Sequence, residues 1–314
     1  MKEKTYAAID IGSNAVRLLI KREDPDTDRP ELLLKKLLLL RVPLRLGFDV
    51  FSKGEISDKK AENLVRLMKA YKQLMKIYEV DRLRACATSA MRDAANGPEI
   101  LKKIKKESDI DIDIINGEEE ARIVYNNHLE RGGLDSGAFL YVDVGGGSTE
   151  LNFMVNGRLV ASRSYNIGTV RILTGKTRRT EWDGMNDFLS SLASNYPQIT
   201  IIGSGGNINK LYKLAEQKDT ERQSFAVAEL SRLYHTLKPL SIEQRIDRYG
   251  MRNDRADVII PAAEIFLTVA STVDADTIVV PTIGVADGII DGLFLADREA
   301  EARRDEECRK EREK

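Results

Sequence analysis

The stretch that decides the fold is Asp143-Val144-Gly145-Gly146-Gly147-Ser148-Thr149-Glu150, a turn of small residues between two apolar runs at 139–142 and 151–155. An earlier stretch, Asp10-Ile11-Gly12-Ser13-Asn14, has the same design. In both, an apolar strand ends in a carboxylate, small residues turn the chain, and a second apolar strand follows. Because one copy lies in each half, the pattern predicts a duplicated unit that holds a phosphate between its copies.

Length and composition indicate a globular protein of two domains. The chain has 314 residues, of which 42% are apolar, so both halves can bury a core. The 49 basic and 50 acidic residues nearly cancel, so we expect neither nucleic acid nor a membrane as a partner. We expect no signal peptide, because the charged residues 1–5 lead straight into a strand. The sequence has no CxxC pair, and no run approaches the roughly 18 apolar residues of a membrane-spanning helix. We therefore expect a cytoplasmic protein.

The apolar pattern predicts the same order of elements in each half: three strands, a helix, a strand, a helix and a strand. In the first half the strands are expected at 6–10, 16–21, 32–42, 83–87 and 110–115, with a long helix at 57–78. In the second half they are expected at 139–143, 151–155, 158–163, 199–202 and 277–280, with helical material at 226–273. Asn156-Gly157 suits a two-residue hairpin turn.

This order resembles the ribonuclease-H-like unit. Two such units resemble the α/β fold of the actin/Hsp70/sugar-kinase (ASKHA) superfamily, in which the ligand lies in an interdomain cleft. We expect a first ribonuclease-H-like domain at 1–124, a second at 125–295, and a charged C-terminal helix at 296–314. The hinge is expected near 117–133.

The two turns carry the residue types that bind phosphate and metal. Asp10 and Asp143 end their strands at the expected cleft, where carboxylates can hold Mg2+. The glycines allow backbone N–H groups to approach phosphate oxygens, and Ser13 and Ser148 add hydroxyl donors. A tight turn with a capping aspartate explains either stretch alone, but two stretches at matching positions favour phosphate binding.

Three further segments have both a structural and a functional interpretation. Arg92 could bind a phosphate in two hydrogen bonds, although alone it suits a surface pair with Asp93. The acids at 118–120 suit the dipole of a helix start, but beside the two turns and Glu150 they favour a general base. Gly205 lies in a strand-to-helix turn whose N–H groups could meet an anion. Gly175-Lys176-Thr177 is not a P-loop, because Val170 stands where such a loop needs glycine.

Four blocks together resemble the exopolyphosphatase/guanosine pentaphosphate phosphohydrolase (Ppx/GppA) family, and weaker matches extend the resemblance over about residues 5–295. The blocks are Ala-Ile-Asp-Ile-Gly-Ser-Asn at 8–14, Ala-Thr-Ser-Ala-Met-Arg-Asp-Ala at 87–94, Gly-Glu-Glu-Glu-Ala-Arg at 117–122 and Val-Asp-Val-Gly-Gly-Gly-Ser-Thr-Glu-Leu at 142–151.

The resemblance implies removal of the terminal phosphate from inorganic polyphosphate, guanosine pentaphosphate or both, with Mg2+ as the cofactor. It implies that Glu119 is the base, with Glu120 as the adjacent alternative, that Glu150 is the second catalytic carboxylate, and that Asp143 lies on the magnesium side. It also implies a homodimer whose last helix packs back on the first domain. The phosphate-contacting positions that it implies are Ser13, Asn14, Arg92, Gly145, Gly146, Gly147 and Ser148.

One departure from the family keeps two alternatives open. Family members commonly carry an arginine-glutamate pair near the end of the chain, where this sequence has Ala286-Asp287. The missing cation motivates a non-catalytic sensor of guanosine pentaphosphate or tetraphosphate. An ATP-using phosphotransferase or ATPase of the same superfamily rests on the same two turns, because a fold alone does not fix the chemistry.

Overall fold

Two mixed sheets, one in each half of the chain, form the frame of the molecule. The structure is a computed structural model that describes residues 3–24, 33–129, 136–281 and 284–312. The first sheet contains β1 (Thr5–Ile11), β2 (Val16–Glu23), β3 (Leu34–Val42), β4 (Arg82–Ala87) and β5 (Asp113–Ile114). The second contains β6 (Ala138–Val144), β7 (Thr149–Val155), β8 (Arg158–Tyr165), β9 (Ile199–Ser204), β10 (Ser224–Ala226) and β11 (Thr277–Val279).

Both sheets have the same strand order. The first runs β3-β2-β1-β4-β5, and the second runs β8-β7-β6-β9-β11 with β10 added antiparallel at its edge. In each, the first two strands of the unit are antiparallel and the first strand pairs with the fourth in parallel. The two ribonuclease-H-like units of the ASKHA superfamily that the sequence predicted are therefore confirmed.

The helices cover the sheets and connect them. They are α1 (Leu46–Lys53), α2 (Asp58–Ile77), α3 (Ser89–Asp93), α4 (Gly97–Ser108), α5 (Gly117–Leu129), α6 (Thr169–Leu173), α7 (Arg179–Asn195), α8 (Gly206–Leu214), α9 (Val227–Leu237), α10 (Ile242–Tyr249), α11 (Asn253–Ala256), α12 (Ile259–Thr272) and α13 (Val285–Arg312). None of the helices among the described residues is long and apolar enough to cross a bilayer.

The sequence predicted long elements with a regular apolar pattern well, but it predicted short elements poorly. The helix expected at 57–78 is α2, and its buried residues lie on one face at helical spacing. Asn156 and Gly157 have φ of 49° and 73°, as the hairpin turn requires. The strand expected at 110–115 has only two paired residues, the helical region at 226–273 divides into four helices, and α1 was missed.

The C-terminal helix belongs to the first domain by its packing. On α13, Val285, Ile289 and Phe294 lie in one apolar cluster with Tyr6 and Leu19 of the first sheet. The chain therefore begins to pack against the first domain again at Val285, ten residues before the boundary expected at 295. Of the hinge expected at 117–133, residues 130–133 lie outside the described part of the chain, and the rest is α5, which packs against both α13 and β8.

Side chains of the second domain also reach the first. Val170 and Val258 are fully buried in the core of the first domain. Among the described residues, three ion pairs cross between the domains: Arg41–Asp254, Arg45–Asp257 and Arg171–Asp93. The two units are thus held closely together, and the space left between them is confined.

Candidate active site

The two turns have matching geometry. The register of β1 with β2 leaves residues 12–15 as a four-residue loop, and that of β6 with β7 leaves residues 145–148. In each loop the first N–H donates to the carbonyl of the last residue, over 3.1 Å from Gly12 to Ala15 and 3.0 Å from Gly145 to Ser148. The repeat that the sequence predicted is therefore present in the backbone.

The turns approach each other directly. A Cβ at Gly146 would lie 2.9 Å from the Cβ of Ser13 and 3.4 Å from the backbone nitrogen of Asn14. Real Cβ atoms do not approach that closely, so only glycine allows the two domains to meet here. The Ser13 hydroxyl is buried, 2.9 Å from that of Ser89, and the Asn14 amide donates to the carbonyl oxygen of Asp254 at 2.8 Å.

A cavity of about 530 Å3 extends from these turns along the domain interface. Eight of the predicted phosphate or metal residues line it: Asp10, Ser13, Asn14, Asp143, Gly145, Gly146, Ser148 and Gly205. Glu120, one of the predicted catalytic acids, lines it as well. The predicted residues from separate parts of the sequence thus share one enclosed space, which has the size of a small-molecule site.

Four buried carboxylates form the acidic group of this site: Asp10, Glu120, Asp143 and Glu150, each at most 8% exposed. Burial, followed by the charges of Glu150, Asp143 and Asp10, raises the pKa of Glu120 well above its usual value. Burial and Asp143 likewise raise the pKa of Glu150. Burial raises the pKa of Asp143 to about 6, although Arg17 and Ser204 act in the opposite direction. Clustered carboxyl groups of this kind are typical of catalytic sites.

Glu120 and Glu150 each keep one oxygen free. Neither Glu120 Oε2 nor Glu150 Oε2 has a hydrogen-bond partner among the described residues, although both atoms are buried. The other oxygen of Glu150 accepts from the hydroxyl of Ser164 at 2.9 Å. Gly117 permits this arrangement at the start of α5, because a Cβ there would lie 2.2 Å from Ser164 Oγ. A buried carboxylate oxygen without a partner is costly unless a ligand or water completes it.

The structure reverses the order of preference between the two adjacent glutamates. Glu119 is the residue expected to be the base, but it points to Arg84, with which it forms a 2.6 Å ion pair, and it does not line the cavity. Glu120 is one residue further along α5, about 100° around the helix, and lines the cavity. The sequence pattern could not tell which face of α5 meets the cleft.

Three other predicted residues, Arg92, Gly147 and Glu150, lie beside the cavity and do not line it. The Arg92 guanidinium donates to the carbonyl of Ile115 at 2.9 Å, and its charge acts on Glu120 and Glu150. A Cβ at Gly147 would lie 2.2 Å from Ser89 Oγ, so Gly147 provides close packing against α3. The expected phosphate contacts of Arg92 and Gly147 therefore do not follow from this arrangement.

Gly205 has a left-handed backbone and lies against the acidic group. Its φ is 97°, and a Cβ there would lie 2.9 Å from Asp143 Oδ1. Glycine is needed for both reasons, because other residues rarely adopt this conformation and would also displace the carboxylate.

A basic group lines the same cavity and was missed by the sequence reasoning. Burial and the like charges of Arg41 and Arg17 lower the pKa of Arg255 to about 10. Two nitrogens of Arg41, Nε and Nη1, are buried without a hydrogen-bond partner among the described residues. An anion would satisfy these donors and reduce the repulsion. The lining cations are Arg17, Lys36, Arg41, Lys210, Lys213, Arg252 and Arg255.

The signal for the basic group was weak in the sequence. Arg255 lies in the weaker family match at residues 255–259. Arg41 lies two residues after Leu39 on β3, so Leu39 and Arg41 share one face of that strand. Only the meeting of the two domains brings these positions together.

The oxygen donors fit a magnesium ion that is shared with a phosphate. Among the described residues, no group of three or more histidine, cysteine or acidic side chains forms a metal site by itself. Mg2+ commonly takes one or two carboxylates and completes its shell with water and substrate phosphates. Asp143 and Asp10, which both line the cavity, offer such ligands, and a bound cation would favour the charged forms of the neighbouring carboxyl groups.

Comparison with known proteins agrees with this geometry. The family model of the Ppx/GppA phosphatase family matches residues 27–297. A guanosine-5'-triphosphate,3'-diphosphate pyrophosphatase of Photobacterium profundum is 24% identical over 297 residues, which cover 91% of this chain and 58% of the relative. This chain thus spans less than two thirds of the length of that curated relative.

Solved structures match over nearly the whole chain. The crystal structure of the Aquifex aeolicus member of the Ppx/GppA family has 28% identity and a TM-score of 0.74, with 94% of this chain and 99% of that chain covered. An exopolyphosphatase from Cytophaga hutchinsonii has 23% identity and a TM-score of 0.78, with 92% and 98% covered, and supports the fold alone. The chain belongs to the Ppx/GppA phosphatase family.

Proposed function

We propose that this member of the Ppx/GppA phosphatase family releases the terminal phosphate of inorganic polyphosphate, guanosine pentaphosphate or both by direct attack of water on the phosphoanhydride. The observation that carries the proposal is the buried Oε2 of Glu120, which has no hydrogen-bond partner among the described residues and belongs to a residue that lines the cavity where the two phosphate-type turns meet. Glu150, whose Oε2 is likewise buried without a partner among these residues, lies behind that lining. A site that only bound an anion would gain nothing from unpaired carboxylates beside it, since they repel phosphate. A hydrolase needs such groups to position water.

Glu120 is the general base in this proposal. Its Oε2 has no partner among the described residues and can accept a hydrogen bond from water, and burial with the charges of Glu150 and Asp143 raises its pKa, which makes the carboxylate a stronger base. Glu150 orients the same water or a metal ligand, while Ser164 holds its other oxygen. Because Glu120 and Glu150 interact strongly, their protons leave in steps that belong to the pair.

The turns bind and align the phosphate that is cleaved. The transition state of phosphoryl transfer spreads charge over the terminal oxygens, so catalysis depends on positioning and electrostatics. The backbone N–H of Gly146, with the hydroxyl of Ser148, is proposed to contact these oxygens. Mg2+ bound near Asp143 and Asp10 would supply positive charge to the phosphate oxygens.

The basic group supports a substrate with several phosphates. Arg41, Arg252 and Arg255 repel one another in a confined space that also contains Lys210 and Lys213. A single phosphate at the turns would leave this repulsion in place, whereas further phosphates of the same molecule would neutralise it. This favours an oligophosphate or a nucleotide with two phosphate groups over a simple monoester.

A phosphate-release assay with Mg2+ tests the proposal on short polyphosphate, long polyphosphate and guanosine pentaphosphate side by side. Release from at least one of them, without an acceptor and faster than from a simple monoester, is the expected result. ATP with candidate acceptors forms a parallel arm, and transfer only to an acceptor would replace the hydrolase by a phosphotransferase. Tight guanosine pentaphosphate binding without any release from the three substrates would instead support a sensor.

A further inference from the structure

A second cavity, of about 670 Å3, lies in the second domain between α6, α7, α9 and α12. Its volume falls within the range of small-molecule sites. It shares no lining residue with the interdomain cavity and includes Gly175 and Thr177 of the segment that looked like the end of a P-loop. The described residues that line it are Ile172, Gly175, Thr177, Trp182, Tyr234, Glu264, Leu267 and Thr268.

The lining selects against phosphate. Among these residues there is one acid and no lysine or arginine, and the neighbouring Lys238 is already paired with Glu264, so the lining favours a neutral ligand over an anion. Gly175 has a φ of 67° and no side chain, and no other atom lies within 4 Å of where its Cβ would be, so this side of the cavity is open. The segment therefore serves a different kind of ligand from the one that its resemblance to a P-loop suggested.

Two aromatic side chains and two polar atoms indicate what the cavity can hold. Trp182 and Tyr234 offer ring surfaces, which favour stacking of a planar ligand. Thr177 Oγ1 is buried and has no hydrogen-bond partner among the described residues. Glu264 accepts from Tyr234 Oη at 2.7 Å and from Lys238 Nζ at 3.3 Å, both at Oε1, which leaves Oε2 for a donor of the ligand.

The cavity is connected to the phosphate turn by α6. Ile172 of this short helix lines the cavity, while the N–H groups of Thr169 and Val170 donate to the carbonyls of Gly145 and Gly146 at 3.0 and 2.8 Å. In the same helix, Arg171 donates to the carbonyl of Gly147 at 2.8 Å, pairs with Asp93 of the first domain, and stacks on Phe51. Any shift of α6 therefore changes both the turn and the contact between domains.

We propose that the second cavity binds a planar nitrogen heterocycle with N–H donors, of nucleobase size, and that its occupant changes phosphate release through α6. The rings stack on Trp182 and Tyr234, and the N–H donors reach Glu264 Oε2 and Thr177 Oγ1. The binding is independent of the proposed hydrolysis, and only the effect on phosphate release rests on it.

Trp182 provides a direct readout, because it is the only tryptophan of the chain. The full chain is titrated with guanosine and separately with adenosine, which carry no phosphate, and with ribose as the control. Saturable quenching of the Trp182 fluorescence by at least one nucleoside, and none by ribose, is expected. Free N-acetyltryptophanamide corrects for absorption by the nucleosides. Absence of saturable quenching by both nucleosides overturns the proposal.

Matched variants locate the binding. Glu264→Ala and Thr177→Val each weaken the affinity, Glu264→Ala by about tenfold or more, as expected for the loss of a hydrogen bond to a charged group. Glu221→Ala changes an exposed acid of the same domain outside the cavity and leaves the affinity unchanged. Equilibrium dialysis with Trp182→Phe verifies the binding without the fluorophore. An affinity unchanged in Glu264→Ala contradicts the assignment.

The effect on catalysis is measured separately. The quenching nucleoside is expected to change kcat or KM for phosphate release in the native chain and to lose this effect in Glu264→Ala. Binding without any change in release contradicts the connection through α6. If no substrate is hydrolysed at all, the fluorescence titration still decides the binding, so failure of the proposed function and failure of this inference can be distinguished.

Discussion

The two copies of the turn differ in the residue that lies opposite the first carboxylate on the next strand. In the first copy the carboxylate Asp10 lies opposite Arg17 on the next strand, and in the second Asp143 lies opposite Glu150. Arg17 forms an ion pair with Asp10. Glu150 adds a second acid beside Asp143, and Glu120 of α5 adds a third. The first copy is neutralised, whereas the second accumulates negative charge.

The difference shows how a duplicated unit can divide its tasks. Equal backbone geometry gives both copies a phosphate-type turn, and the second copy adds Glu150 and the neighbouring Glu120, which have raised pKa values and one buried oxygen each without a hydrogen-bond partner among the described residues. We infer that the first copy mainly holds phosphate, and that the second also positions water. Changes that remove or equalise this charge difference test the inference.

The largest effect is expected from Glu120→Gln. If the acids of the second copy supply the base, this change lowers kcat for phosphate release by roughly 10²–10⁴-fold, the range of general-base catalysis, while substrate binding remains. The amide has the shape of the carboxyl group, so the fold is retained. Steady-state phosphate release and equilibrium binding measure the two quantities.

Glu119→Gln is the matched control for that variant. Glu119 pairs with Arg84 and does not line the cavity, so its change should leave kcat within a few-fold of the native value, as expected for a partly exposed ion pair. If Glu119→Gln is the slower variant, the base is the residue that the sequence pattern favoured. Native rates in both variants would exclude this block as the source of the base.

The next effect is expected when the first copy loses its neutralising cation. Arg17→Met leaves Asp10 buried without its ion pair, so both stability and kcat/KM should fall, the latter by about 10–100-fold, because an unpaired buried charge repels the substrate. The double variant Arg17→Met with Asp10→Asn removes both charges and should recover most of the stability. Chemical unfolding measures the stability of the variants, and phosphate release measures their kcat/KM. Equal losses in the single and double variants would show that Arg17 acts independently of Asp10.

The sequence alone predicted the units but not the charge difference between them. Strand order followed from apolar periodicity, and the two turns followed from small residues after a carboxylate, since both are local patterns. The pairing of Asp10 with Arg17 and of Asp143 with Glu150 depends on strand register, which the loop length fixes only after folding. The choice of Glu120 over Glu119 depends on how α5 is rotated against β7 and β8, which is a tertiary contact.

A smaller effect concerns stability and its dependence on pH. Folding raises the pKa of Glu150, so the native state binds the proton of this carboxyl group more tightly than the unfolded state does. The native state therefore loses stability as the pH rises from the pKa of the unfolded chain, near 4.5, through the pKa of the folded chain. Glu150→Gln removes this loss. Because burial and Asp143 raise the pKa of Glu150 to about 8, the variant should gain a few kcal/mol over the native chain at pH 8 relative to pH 4 in metal-free buffer.

Urea unfolding at the two pH values measures this difference. Glu118→Gln, a change of an exposed acid at the start of α5, is the control and should show no such dependence. A Glu150→Gln variant that is equally destabilised at both pH values would mean that its hydrogen bond with Ser164 matters more than its charge. The charge accumulated in the second copy would then be smaller than its burial indicates.

The smallest effect is expected at the position where the family pattern is broken. Asp287 lines the cavity and forms a 3.0 Å ion pair with Lys21, a buried cation on β2 of the first copy that also pairs with Asp291 at 3.2 Å. Asp287→Asn removes one negative charge from the cavity and leaves Lys21 held by Asp291. KM for the preferred substrate should therefore fall by a few-fold at unchanged kcat, as for a partly screened charge. Asp291→Asn is the comparison, because Asp291 also pairs with Lys21 but does not line the cavity. An equal fall in KM in Asp291→Asn would show that affinity depends on the release of Lys21 and not on repulsion between Asp287 and the substrate.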